Sequence, residues 1–255
     1  MRLLEALALT ITNGSKPVCR NQNFHLQAGE IWGVLGPNGI GKTSLLHTLA
    51  GLRKPLSGQI TLMDKPLASY DRKQLATQLG IVFQDSQDTF PSTVLETVLM
   101  GRHPYLSEWA WESVEDISLC MTALEQVALA TLAQRQVNTL SGGERRRLAL
   151  AILLVQNPSI CLLDEPTNHL DLHHQMVLLE LIVQKTLRNN GGVVMVLQDV
   201  NLVPRFCTHV LLMHNADSWI SGPVADVMTT TNLQLLYQHS IRKLVDNGVT
   251  LFYPE

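Results

Sequence analysis

Between Leu3 and about Leu35 apolar and polar residues alternate, interrupted by the turn-forming stretches Asn13-Gly14-Ser15 and Ala28-Gly29-Glu30. A period of two predicts strands. The alternation gives way to an unbroken apolar run, Ile31-Trp32-Gly33-Val34-Leu35, and then to a helical pattern over Thr43-Ser44-Leu45-Leu46-His47-Thr48-Leu49. From about Val94 to Thr139 the chain is mainly helical in pattern, with Trp111, Val114, Ile117, Met121 and Leu124 at helical spacing. That stripe is expected to pack into the core, and a partner surface is expected instead among exposed residues near Arg102 to Trp109. A Leu-, Ala- and Ile-rich helix from Glu144 to Gln156 stops at Asn157-Pro158. Strands at about Ser159 to Leu163 and Gly192 to Leu197 flank a further helix, Gln175 to Leu187. Apolar strands alternating with helices predict an α/β chain with a buried, largely parallel sheet. The tail from Val203 to Glu255 reads as shorter strands and helices with a turn at Ser221-Gly222-Pro223, and no internal repeat is present.

Composition narrows the class without naming a ligand. With 255 residues, 45% hydrophobic and 16% charged, the chain can bury a large interior and is not a disordered one. A formal net charge of -3 gives no basic excess of the kind that nucleic-acid binding uses, so nucleic acid is not expected as a partner. The cysteines at 19, 120, 161 and 207 are scattered, which predicts a reducing compartment and no thiolate metal site. No signal peptide is read at the N-terminus, and runs such as Val193-Val194-Met195-Val196-Leu197 are far shorter than a membrane span. A transport role would need another chain to form the pore.

Three motifs carry the chemistry. Gly36-Pro37-Asn38-Gly39-Ile40-Gly41-Lys42-Thr43 lies between a predicted strand and a predicted helix, the context a P-loop requires. Its backbone N–H groups can curl around β- and γ-phosphates, Lys42 adds charge there, and the Thr43 hydroxyl, followed by Ser44, is placed for Mg²⁺ and phosphate. The apolar run Ile160-Cys161-Leu162-Leu163 ends in Asp164-Glu165, where Asp164 can hold Mg²⁺ and Glu165 can accept a proton from an attacking water. In isolation two carboxylates at a strand end would be unremarkable surface groups. The third motif is Leu140-Ser141-Gly142-Gly143-Glu144, and its Ser-Gly-Gly turn at a helix N-terminus is a second anion site in a chain with one P-loop.

In this order the motifs resemble the ATP-binding cassette ATPases, and the resemblance spans nearly the whole chain. It implies a single cassette domain, residues 1–255: a P-loop core with a mostly parallel sheet, an N-terminal antiparallel β region and a helical signature subdomain at about 94–139. It further implies that ATP and Mg²⁺ are the cofactors and that Ser141, Gly142 and Gly143 serve the ATP of a second, head-to-tail copy. Asp171, in Pro166-Thr167-Asn168-His169-Leu170-Asp171, resembles the aspartate that contacts the partner cassette. Gln84, after the strand Ile81-Val82-Phe83, resembles the glutamine that reaches metal and attacking water while its loop touches a permease.

Two positions depart from the family pattern. Gln198 stands where a histidine usually follows the strand; its amide can donate to a γ-phosphate but cannot carry charge. Slower, though not absent, hydrolysis is expected. Asn13 stands near where relatives place an aromatic residue that stacks on adenine, so weak base discrimination is expected. His169, His173 and His174 have no acid or thiol partner in the sequence to complete a metal site, and none is expected there.

Gly101-Arg102-His103-Pro104, the stretch from Thr167 to Gln175 and the closing Phe252-Tyr253-Pro254-Glu255 look like cassettes of importers for iron-siderophores, haem and cobalamin. That likeness implies an ATPase subunit at the cytoplasmic face of the membrane, bound to permease subunits and served indirectly by a substrate-binding protein. An exporter cassette, a soluble cassette ATPase of translation or DNA maintenance, and a P-loop kinase are the alternatives; the kinase would not need the Ser141 motif.

Overall fold

The computed structural model describes residues 1–84, 91–107, 111–246 and 248–255. An antiparallel sheet in the order β2-β1-β4-β5 is formed by β1 (Arg2–Asn13), β2 (Lys16–Gln27), β4 (Ser57–Leu62) and β5 (Lys65–Pro66). A six-stranded sheet runs β10-β9-β3-β8-β7-β6, from β3 (Ile31–Leu35), β6 (Leu79–Val82), β7 (Ile160–Asp164), β8 (Gly192–Val196), β9 (His209–Met213) and β10 (Trp219–Pro223). Every pairing in it is parallel except β9 with β10. A hairpin of β11 (Ile241–Asp246) and β12 (Val249–Pro254) closes the chain.

Alternate residues of the central strands feed two cores. Cys161 and Leu163 of β7, with Val193 and Met195 of β8, enter one cluster, while Ile160, Leu162, Val194 and Val196 enter the other. Both faces are covered, so these strands read in the sequence as continuous apolar runs. On one face lie α5 (Gly142–Gln156), α6 (Leu172–Arg188) and α7 (Leu202–Phe206); on the other lie α1 (Lys42–Leu49) and the antiparallel sheet. The short helices α2 (Arg72–Gln78), α8 (Val224–Val227) and α9 (Thr230–Tyr237) sit at the edges.

Between the strands, residues 94–139 contain α3 (Val94–Leu99), α4 (Val114–Gln126) and 3₁₀ turns, the longest Met100–Tyr105. The face of α4 that packs inward differs from the stripe read in the sequence. Met121 and Leu124 of the expected stripe do pack on the core, but Trp111 is 90% exposed, Val114 85% and Ile117 41%, and Asp116, Cys120 and Ala123 are buried in their place. The helix is rotated because its inward first turn carries a charge: Asp116 caps the helix with Ser113 and receives Arg102 Nε at 2.7 Å. A buried carboxylate at that position hides the true apolar face from a hydrophobicity count. Trp109, part of the expected partner surface, lies outside the described residues.

A second difference concerns Ser221-Gly222-Pro223, which is strand and not turn: Ser221 pairs with Leu211, Gly222 with Val210 and Pro223 with His209. β10 is an edge strand, where a proline's missing N–H costs no ladder bond. The chain turns only after Pro223.

Candidate nucleotide site

β3 delivers the chain into the glycine loop and the loop delivers it into α1. Gly39 and Gly41 have φ of 75° and 111°, and a Cβ on Gly41 would meet Val18 Cγ1 at 2.4 Å. Conformation favours glycine at both positions, and at Gly41 space requires it as well. The loop is braced internally, with Pro37 O accepting from Ile40 N at 3.3 Å and Gly36 packed where a Cβ would meet Met213 O at 2.8 Å. No side chain caps the N-terminus of α1, so its first N–H groups are available to an anion.

Asn38, Gly39, Gly41, Lys42, Thr43 and Ser44 line a cleft of about 320 Å³ together with Asn13, Gln84, Glu165 and Gln198. Lys42 is buried and folds back on its own loop, donating to Gly36 O at 2.7 Å and Pro37 O at 3.1 Å. Burial lowers its pKa, and the nearby Glu165 and Asp164 carboxylates oppose that shift. A phosphate entering the loop would replace those two carbonyls as the partner of the ammonium.

Beneath the cleft, Asp164 ends β7 with no exposed surface, and neither of its carboxylate oxygens meets a hydrogen-bond donor. Desolvation raises its pKa. The Thr43 hydroxyl opposes this most strongly among its neighbours, although it falls outside strict hydrogen-bonding geometry. An orphaned, buried carboxylate beside the Thr43 hydroxyl is a pair of hard-oxygen donors, and a divalent cation such as Mg²⁺ fits it.

Glu165 sits in the left-handed region at φ 48°. One of its carboxylate oxygens, Oε2, accepts from three side-chain amides: Gln198 Nε2 at 2.6 Å, Gln84 Nε2 at 3.1 Å and Asn168 Nδ2. The three donors come from segments after β8, β6 and β7, so all three strand ends converge on a single carboxylate.

Asn168 was legible only as part of its motif. Arg146 was not singled out at all: buried in α5, it donates to the carbonyls of Pro166 (3.1 Å), Phe83 and Asp164, tying together the segments that carry Glu165, Gln84 and Asp164. The run Arg145-Arg146-Arg147 in an otherwise apolar helix was its only sequence signal.

Ser141, Gly142, Gly143 and Asp171 do not join this cleft. Ser141 caps α5 in a reciprocal box with Glu144, its backbone N–H donating to Glu144 Oε2 at 2.7 Å. Gly143 lies where a Cβ would meet His169 O at 2.9 Å, whereas a Cβ on Gly142 would find nothing nearer than 3.8 Å. Asp171 caps α6 through His174 N at 2.9 Å and contacts His174 Nδ1 at 2.8 Å. Among the described residues no group of three His, Cys, Asp or Glu side chains is arranged to hold a metal.

The family model for ABC transporters matches residues 19–168. The hemin import ATP-binding protein HmuV of Hahella chejuensis is 35% identical over 95% of this chain and 95% of its own length. The ABC transporter ATP-binding protein YvrA of Bacillus subtilis is also 35% identical over 95% of this chain, which spans 55% of that longer protein. A solved structure described as a metal-chelate type ABC transporter in an inward-facing conformation superposes with a TM-score of 0.84 at 28% identity, covering 100% of this chain and 98% of that one. With a P-loop, a buried acidic strand end and a glycine turn in the order these cassettes share, the chain belongs to the ATP-hydrolysing subunits of ABC transporters.

Proposed function

We propose that the chain powers a metal-chelate importer, of the iron-siderophore or haem class, by hydrolysing ATP between two copies of itself. The observation that carries the hydrolytic reading is the convergence of Gln84, Asn168 and Gln198 on Glu165 beside Lys42. Three donors on one oxygen leave Oε1 to accept the proton of a water as that water attacks the γ-phosphorus. The bond between the γ-phosphorus and the bridging oxygen breaks, and ADP departs with its charge held by Lys42 and the loop N–H groups. Thr43, Asp164 and Gln84 would hold Mg²⁺, which neutralises charge on the β- and γ-oxygens when bound.

The Ser141 turn is proposed to face the nucleotide of the second copy. Its separation from the cleft of its own chain supports this, since a helix N-terminus bearing two glycines has no anion of its own to bind. Asp171 is proposed to touch the same partner. No helix among the described residues is long and apolar enough to cross a membrane. The translocation path is therefore assigned to separate permease subunits, with this subunit peripheral on the cytoplasmic face and a substrate-binding protein upstream. The hemin importer and the metal-chelate transporter among its relatives support that cargo class.

The test is to purify the chain with the membrane protein that co-elutes, reconstitute the complex in vesicles, and measure ATP-dependent uptake of haem and of a ferric siderophore. Uptake of either that Glu165→Gln abolishes is expected. Steady ATP hydrolysis with no uptake of either would remove the cargo assignment, and phosphate transfer to an added acceptor in place of hydrolysis would remove the ATPase mechanism.

A further inference from the structure

With phosphates seated at Lys42 and Thr43, a nucleoside must extend beyond them, and of the other lining residues Asn13 comes from the β1–β2 hairpin and Ser44 from the start of α1. No described residue lining the cleft is aromatic. Arg53 does not itself line the cleft but is hydrogen-bonded to Asn13 and Ser44, which do. The chain leaves α1, turns at Gly51 (φ 72°), and both Leu52 N and Arg53 N donate to His47 O, which fixes the Arg53 backbone on the helix. Its half-buried side chain returns along α1 to the hairpin of β1 and β2. There Nη1 donates to Asn13 Oδ1 at 3.4 Å and Ser44 Oγ at 3.4 Å, and Nη2 donates to Thr12 O. The guanidinium thus bridges the two segments that form the mouth, and among the described residues its Nε–H and one Nη2 hydrogen are uncommitted.

We propose that Arg53 is a nucleoside-binding residue of this cleft, contacting the purine ring and ribose of the bound triphosphate. The assignment rests on the nucleotide reading of the cleft and goes beyond it, because a planar cation takes over what an aromatic ring would do. A guanidinium face attracts any π-system, and its edge donates to ribose oxygens. Neither interaction separates a 6-amino from a 6-oxo purine, so Arg53 binds ATP and GTP alike.

Isothermal titration of the full chain with ATP, GTP and inorganic tripolyphosphate, each with Mg²⁺, tests this in wild type, Arg53→Ala and Arg53→Lys. Arg53→Ala is expected to weaken ATP and GTP by about tenfold each and to leave tripolyphosphate unchanged, and kcat at saturating ATP is expected to hold while KM rises. Arg53→Lys, which keeps charge without a planar face, is expected to recover only part of the loss. Equal weakening of tripolyphosphate would overturn the proposal, since Arg53 would then only brace the mouth. So would unchanged ATP affinity in Arg53→Ala, or a loss confined to ATP. If wild type binds tripolyphosphate but no nucleotide, the nucleotide reading itself fails first.

Discussion

The side-chain amide of Gln198 donates to the Glu165 carboxylate at 2.6 Å, tying the end of β8 to the acid at the end of β7. This places Gln198 behind Glu165 as well as beside the cleft, and it sets what a substitution there should do. Gln198→Ala is expected to lower kcat about tenfold with little change in KM, because one of three donors orienting the carboxylate is lost. Gln198→His is expected to raise turnover, with a gain that is fullest below a pH of about 6.5 and fades as pH rises through it, a dependence that wild type lacks. Turnover measured across pH for both variants checks this; no change in either would remove Gln198 from the mechanism.

Asp164 makes metal-free stability depend on pH. Burial raises its pKa above the ordinary 3.8, so the folded state holds this proton where the unfolded chain has released it. That contribution is favourable at low pH and is lost as pH rises through the raised pKa. Asp164→Asn should therefore unfold at a higher temperature than wild type near neutral pH without Mg²⁺, with the gap closing toward pH 4. Adding MgCl₂ should raise the melting temperature of wild type and not that of the variant. Thermal unfolding across pH, with and without MgCl₂, reads both effects.

The Arg102–Asp116 pair has the opposite sign. The Ser113 backbone N–H is the largest of the influences, ahead of Arg102, that hold Asp116 at about 2, below its ordinary 3.8. Its stabilisation is complete above the ordinary value and is lost as pH falls through about 2. Arg102→Ala removes one partner while the Ser113 N–H and hydroxyl still donate to Asp116, so it is expected to cost about 1 kcal/mol in denaturant unfolding at pH 7. ATP affinity should be unchanged.

Complementation between defective chains tests the assignment of Ser141 and its neighbours to a second copy. Gly142→Asp is the suitable signature variant, because the space around Gly142 accepts a side chain and the Ser141 cap is retained. Lys42→Ala and Gly142→Asp should each be inactive alone. Mixed, they should recover up to about half the specific activity of one intact site per dimer. No recovery at any ratio would place both motifs on one nucleotide.

How much of this was legible in the sequence followed from how local each determinant is. The glycine loop, Asp164-Glu165 and the Ser141 turn are contiguous, and each dictates its own backbone, so each stands out in the sequence as a motif. The first turn of α4 was misread, though Met121 and Leu124 pack inward as expected, because Asp116 occupies a core position through a pairing with Arg102 on another segment. Arg146 was invisible for the same reason: Pro166, Phe83 and Asp164 accept from it through backbone carbonyls, which carry no residue signature. At Pro223 turn chemistry was overridden by place, an edge strand tolerating what an inner strand would not.

The central claim is that ATP joins two copies, the lysine loop of one against the glycine turn of the other. Light scattering on Glu165→Gln with ATP and Mg²⁺ measures it most directly. A mass near twice 28.3 kDa that reverts on removing ATP is predicted. A protein that binds ATP at stoichiometry and stays at the mass of one chain would contradict it.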